Sequence, residues 1–202
     1  MNSKLARCST SWLPNRLVKA IFSYFTALRS TLYLVVARFS VKLVAVINKR
    51  AVTMEVKQLA SKTLTGLKVR TCNANEMNTG TAKIADLWQR FADKYTAELT
   101  KNSHVYGVYT NYESDVTGDF DVIACSDAQS THARDAVKVT TTAGRYLVFT
   151  GEGEMPDAII DLWGEIWQYF SSDDCRYTRT YTSDFEYYKN ANEVEIAIAI
   201  AE

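Results

Sequence analysis

Proline and histidine are nearly absent from this chain, with 2 of each, and glycine reaches only 8 residues. So little proline and glycine excludes collagen-like repeats and the low-complexity composition of a disordered chain. The four cysteines, Cys8, Cys72, Cys125 and Cys175, are widely spaced and form no C-x-x-C pair. With only His104 and His132 to assist them, neither a zinc site nor any other metal or cofactor is expected. Scattered cysteines without a convincing signal peptide read as reduced structural thiols and predict a cytoplasmic protein. No Ser/His/Asp or Cys/His constellation suggests nucleophilic catalysis. Long apolar runs are missing too. Lys19, Arg29, Arg38 and Lys42 cut the most apolar region into pieces of about 10 residues or fewer, where a membrane span needs about 18.

Acidic residues are absent from one part of the chain. Met1 to Met54 carries nine Lys and Arg and no Asp or Glu, so the remainder holds 14 basic residues against all 23 acidic ones, a net charge of −9. This divides the chain into a basic extension, 1–53, and an acidic body, 54–202. Besides an unrecognised functional arm, the extension has two readings. It is translated from a start upstream of a native Met54, or it is a membrane-associating arm, the one route by which this chain would meet a lipid surface. The body's charge repels nucleic acid and favours cations. Aromatic residues make up 12% of the chain, including 12 Tyr and 4 Trp, a content suited to a concave ligand site.

Periodicity organises the body. Residues 55–72 read as one strand or two short ones, 73–80 as a polar linker, and Thr81 as the cap of a helix running to about Leu99. Strands follow at 105–112 and 120–126, joined as a hairpin. The pattern then returns: strands at 136–142 and 145–153, a helix opening at Pro156 and Asp157, and strands at 179–188 and 193–201. The helices share a D-L-W tag, Asp86-Leu87-Trp88 and Asp161-Leu162-Trp163. Similarity at a period of about 75 residues indicates two structural copies, whose paired sheets would leave a cleft between them.

Three motifs carry a resemblance: Ala143-Gly144-Arg145-Tyr146-Leu147-Val148-Phe149, the helical pair Trp163 and Trp167, and Asp184-Phe185-Glu186-Tyr187-Tyr188 before an alternating last strand. Together with the hairpin VYGVYTNYESDVTGDFDVIACSD, they make residues 54–202 resemble the GyrI-like, Rob-type effector-binding domain of bacterial transcription regulators. The stand-alone versions carried on integron gene cassettes are the nearest in kind. The resemblance implies an α+β fold of duplicated βαββ (SHS2-type) modules with pseudo-twofold symmetry and a central cleft. It implies a small-molecule effector, an amphipathic organic cation or drug, and a partner among transcription regulators or DNA gyrase. No pair of capped helices joined by a glycine turn is visible, so direct DNA binding is not expected. Two alternatives accompany the binding role: hydrolysis of strained electrophiles by a Glu and a Tyr of the same cleft, and inhibition of gyrase by contact.

The resemblance places the cation-binding carboxylate at Glu186. A carboxylate among rings is costly alone. A bound cation offsets that cost by charge pairing, and each ring face adds roughly 0.5–2 kcal/mol of cation–π attraction. Trp163 and Trp167 share one helix face. Trp163 has a twin in Trp88 and suits core packing, whereas Trp167 faces no counterpart (Ala92 stands there), making it the better ligand contact. Alternation puts Tyr106 and Tyr112 on one strand face and Tyr109 on the other. The family's G-x-Y element, here Gly107-Val108-Tyr109, favours Tyr109 as cleft-facing. Tyr146 and Phe149 are further ligand-binding candidates of opposite parity, one of which belongs to the core. Tyr188 shares the strand face of Glu186 and can donate its hydroxyl to it, while Asp184 on that face reads as solvated. Glu113, Asp115, Asp119 and Asp121 form either a solvated loop or an electrostatic funnel for cations.

Overall fold

The computed structural model describes residues 52–128, 135–155 and 157–202; the basic stretch up to residue 51, His132 and Pro156 lie outside them. The first alternating region folds as two strands, β1 (Thr53–Leu59) and β2 (Thr63–Thr71). The linker contains one helical turn, α1 (Asn73–Glu76), ahead of α2 (Ile84–Tyr95), β3 (Val105–Thr110) and β4 (Phe120–Ser126). The second copy comprises β5 (Val137–Thr140), β6 (Gly144–Glu152), α3 (Asp157–Phe170), β7 (Ser183–Asn190) and β8 (Glu193–Ala199).

Helix α2 is shorter than the span from Thr81 to about Leu99 that the sequence suggests, and at its start the reason is local. The Thr81 hydroxyl donates to the carbonyls of Asn75 and Asn78 instead of capping the helix. The first helical amides, of Lys83 and Ile84, donate instead to the carboxylate of Glu76. An acid from the preceding turn thereby satisfies the orphan donors and complements the helix dipole.

Among the described residues the strands form one eight-stranded antiparallel sheet in the order β1-β6-β8-β7-β3-β4-β2-β5. Exchanging β1 with β5, β2 with β6, β3 with β7 and β4 with β8 reverses this order onto itself. The two copies are therefore related by a pseudo-twofold axis through the β7–β3 seam, the α+β duplication that the repeat implied. Each copy also lends its leading strand to the other. β1 opens the first copy but pairs with β6, and β5 opens the second but pairs with β2.

The exchange forces curvature. Laid flat, β1 and β2 would be six strand spacings apart, roughly 29 Å. The link from Leu59 to Thr63 spans at most about 14 Å, so the sheet curls. The two short links meet, with Thr141 donating its amide to the Lys62 carbonyl at 2.9 Å and Lys62 returning its own amide to the Thr141 hydroxyl at 2.9 Å. Thr142 donates its amide to Ser183 Oγ at 2.9 Å, carrying the second link across the inside of the curl. Inside sits one apolar cluster, including Leu64, Tyr106, Val108, Ile123, Tyr146, Val148 and Phe185. On the other face, α2 buries Leu87, Trp88, Phe91 and Tyr95, and α3 buries Ile159, Leu162 and Ile166, all in one larger cluster.

Candidate functional site

The β7–β3 seam on the helix side carries the most unusual group in the fold. Glu186 lies opposite Gly107 in the β3–β7 register and is 2% exposed. Gly107 is needed for its lack of a side chain, since a Cβ there would stand 2.5 Å from Glu186 Oε2 and 3.1 Å from Trp88 Cζ2. Three neutral donors hold the carboxylate. Oε1 accepts the Tyr109 hydroxyl and the Trp163 indole N–H, each at 2.8 Å, and Oε2 accepts the Tyr188 hydroxyl at 2.7 Å. Burial raises the Glu186 pKa above its ordinary value; the hydrogen bonds from Trp163, Tyr188 and Tyr109 oppose that rise. No cation pairs with Glu186 among the described residues.

Above this carboxylate a cleft of about 650 Å³ opens between α2 and α3. Ile84 and Ala85 line it from α2, Ile160, Trp163, Trp167 and Phe170 from α3, and Tyr109 and Phe120 from the sheet. Tyr109 and Trp163 meet edge to face at 5.4 Å between centroids. Each thus presents a ring to the cleft and a donor to Glu186, so the acid lies just behind an aromatic wall. Trp167 tilts against Trp163 at 6.2 Å and is 49% exposed at the rim.

A second charged group, Arg179, borders the same cleft. Its guanidinium binds Asp184 Oδ2 through Nη2 at 2.6 Å and Nε at 3.1 Å. Asp184 is fully buried; it also accepts the Tyr112 hydroxyl at 2.8 Å and the Ala199 amide at 2.8 Å. The Arg179 guanidinium lies over the rings of Tyr181, at 4.7 Å, and Tyr112, at 5.6 Å. Tyr181 reaches it from a backbone φ of +54°, a left-handed conformation rare for a bulky residue.

The structure brings Glu186, Tyr109, Tyr188 and Trp163 into one hydrogen-bonded group and puts Trp167 at its rim. Tyr146 and Phe149 lie elsewhere. Tyr146 is buried inside the curl, its hydroxyl on the Thr142 carbonyl at 2.6 Å, because its parity points away from the helices. Phe149 is on the helix side but packs in the core against Tyr169. Three further expectations need correction. Asp184 is not solvated. Tyr112 does not follow Tyr106 to the inner face: the strand stops at Thr110, Asn111 takes a φ of +51°, and the chain turns Tyr112 back to the cleft. The acidic stretch does not form a funnel at the cleft, which receives Tyr112, Val116 and Phe120 from it rather than the carboxylates. Asp121 is buried against Lys68 and Arg70. Arg179 and Tyr181 fall in the strand expected over 179–188, but the observed strand starts only at Ser183, and the non-periodic backbone before it, with its positive φ at Tyr181, brings them to the cleft.

Chemically, the arrangement suits charge stabilisation. Both carboxylate oxygens are engaged by donors, and aromatic rings separate them from the space a water or substrate would occupy, which is poor geometry for a general base. Among the described residues no helix is long and apolar enough to cross a membrane, and no cluster of His, Cys, Asp or Glu could hold a metal ion.

Residues 55–200 match a protein family described as Cass2, integron-associated effector binding protein. Among solved structures, an integron cassette protein from the mobile metagenome of Vibrio cholerae, VCH_CASS2, is similar at 51% identity. The likeness covers 73% of this chain and 95% of that one, with a TM-score of 0.70. SAV2435, solved bound to tetraphenylphosphonium, shares the fold at 21% identity, 74% and 94% coverage and a TM-score of 0.55. YobU of Bacillus subtilis (strain 168), named as a candidate transcriptional regulator protein, is 29% identical over 140 residues, covering 66% of this chain and 84% of its own length.

Proposed function

The chain belongs to the family of integron-associated effector binding proteins, and on that premise we propose that the cleft between α2 and α3 is the effector site and that its effector is an amphipathic organic cation. The observation that carries the reading is Glu186, a buried acid with no cationic partner among the described residues, held by neutral donors behind a wall of rings. A guest with a flat apolar body and delocalised positive charge satisfies both features. Its body replaces water on Tyr109, Trp163 and Trp167. Its charge meets the quadrupoles of those rings and the field of the acid behind them, roughly 0.5–2 kcal/mol per ring before the acid is counted.

The donors make the acid effective. Tyr109 and Trp163 point their positive ends at Glu186 and line the cleft with their rings. The carboxylate polarises both rings in the sense that strengthens attraction to a cation. The hydrogen bonds fix its position, so little reorganisation is needed when a guest arrives. The role is binding rather than turnover, and reading DNA falls to another molecule. Among the described residues both long helices are packed on the sheet, leaving no helix free to enter a groove.

Tetraphenylphosphonium, the molecule held by SAV2435, has the chemistry that this cleft favours, so its relatives are the first probes. Methyltriphenylphosphonium and triphenylphosphine oxide share a body and differ in charge. Titrated into the full chain with tryptophan fluorescence as the readout, the cation should quench saturably and bind at least about tenfold more tightly than the oxide. Equal affinity for the two would overturn the cation reading and leave a general apolar cleft. No binding of either would remove the cleft as the effector site for this chemistry.

A further inference from the structure

The cleft has a second polar end, and we infer that Arg179 recognises a neutral oxygen acceptor on the effector, such as a carbonyl or ester oxygen. This inference rests on the cation reading above and adds a requirement to it. The side chain of Arg179 is 9% exposed, borders the cleft, and is held rigidly by Asp184 and the rings of Tyr112 and Tyr181. Its Nε and Nη2 donate to Asp184, and Nη2 also to the Tyr112 hydroxyl at 3.2 Å. Nη1 donates to no acceptor among the described residues. A guanidinium carries five N–H donors in a fixed plane. Arg179 therefore borders a largely apolar cleft with the N–H groups of Nη1 uncommitted, and an acceptor that reaches them gains a charge-assisted hydrogen bond.

Charge decides what kind of acceptor fits. Asp184 already neutralises Arg179, with its Oδ2 2.6 Å from Nη2. An anionic group on the effector would gain the guanidinium but face the Asp184 carboxylate and the acid at 186 at short range. A neutral oxygen takes the N–H without that repulsion. Position fixes the spacing. Asp184 and Glu186 are two residues apart on one face of β7, a separation of roughly 7 Å that a short alkyl linker covers. The preferred effector is thus bipolar in form though singly charged: a cationic aromatic body over Tyr109 and Trp163, and a neutral oxygen one short linker away. The left-handed backbone of Tyr181 supports this reading, because strain of that kind persists where a side chain must be aimed.

Three phosphonium probes with the same triphenyl body test it: one with a pentyl tail, one with a tail of matched length ending in a methyl ester, and one ending in the free carboxylate. With the full chain, the ester should bind about tenfold more tightly than the pentyl compound, and the carboxylate no more tightly than the ester. Arg179→Met together with Asp184→Asn removes the donor without leaving a buried charge unpaired, and Asn can still accept the Ala199 amide. In this variant the ester-to-pentyl preference should fall to about one, a ratio that is independent of any common change in affinity for the triphenyl body. Arg179→Lys, which keeps a charge opposite Asp184 but loses the fork, should lose most of the preference and serves if the double variant does not fold. A wild-type ratio near one, a carboxylate preferred over the ester, or a preference surviving both variants overturns the inference. Pentyl binding without an ester preference sinks this inference alone, whereas failure of all the phosphonium probes to bind sinks the cation reading beneath it.

Discussion

Replacing Glu186 by Gln isolates charge from shape with unusual cleanness. The glutamine oxygen can take the place of Oε1 and keep both the Tyr109 and Trp163 donors. Its amide nitrogen then faces Tyr188, whose hydroxyl turns to accept. Packing above Gly107 is unchanged, because the two side chains have nearly the same volume. What is lost is one negative charge behind the ring wall. A cation resting on the cleft faces of Tyr109 and Trp163 lies roughly 7 Å from that charge; at an effective dielectric of about 20 the attraction is about 2.4 kcal/mol, or about fiftyfold in Kd. Burial shields the interaction from salt, so the loss should persist at high ionic strength. Fluorescence titrations of wild type and variant with methyltriphenylphosphonium and triphenylphosphine oxide supply the readout. The cation should weaken about fiftyfold and the oxide by less than about threefold. Urea unfolding supplies the control: the variant should be at least as stable as wild type at neutral pH, since a costly buried charge has been removed. Equal weakening of both probes would mean that the substitution has disturbed the cleft's shape, and unchanged cation affinity would mean that the acid has no part in binding. Either result refutes the electrostatic reasoning.

The acid should also write itself into pH profiles. Burial holds the folded pKa of Glu186 above its ordinary value of 4.5. Between that value and the raised one, the unfolded chain has released a proton that the folded chain keeps. This residue's contribution to stability therefore falls as pH rises across the window and is constant above it. Cation affinity runs the opposite way: it climbs with pH through the folded pKa, then levels, and binding within the window releases protons, which calorimetry in buffers of different ionisation enthalpy detects. A flat profile in both measurements contradicts the assignment. Gly107→Ala forces a methyl group to within 2.5 Å of Glu186 Oε2 and should cost about 1–3 kcal/mol in urea unfolding, along with most cation binding. Trp167→Ala, at an exposed rim position, should weaken phosphonium binding by about 0.5–2 kcal/mol while shifting the unfolding midpoint little.

Much of this site was legible because strands alternate. On β7, parity alone puts Asp184, Glu186 and Tyr188 on one face, and on β3 it adds Gly107 and Tyr109. The resemblance supplied the importance of Glu186, and the D-L-W repeat supplied the duplication. Legibility stops where the backbone leaves periodic structure. Alternation sends Tyr112 to the inner face, but the positive φ of Asn111 reverses it. Arg179 precedes the positive-φ backbone of Tyr181, and no local pattern says that it folds back on a residue five positions later. Comparison with its repeat partner Trp88 makes Trp163 look like core. Yet its indole N–H reaches Glu186 while its twin Trp88 packs beneath, 5.6 Å from Tyr188. A helix face identifies who is near the sheet, not which tip finds a partner. Tyr146 and Phe149 show the converse: both belong to a recognisable motif, and their place in it reflects packing of β6 on either side.

The traded leading strands have a consequence for how this molecule came to be and how it can move. Neither copy is whole by itself, because each keeps its outermost strand on its sibling. A lone half would expose a raw hydrogen-bonding edge and would have to find a second half, in the manner of a swapped dimer, before it could persist. Fusion into one chain locks that exchange in place. The two helices therefore ride on a single continuous strap of strands, and the gap between them can be adjusted by flexing the strap but not by letting the halves drift apart.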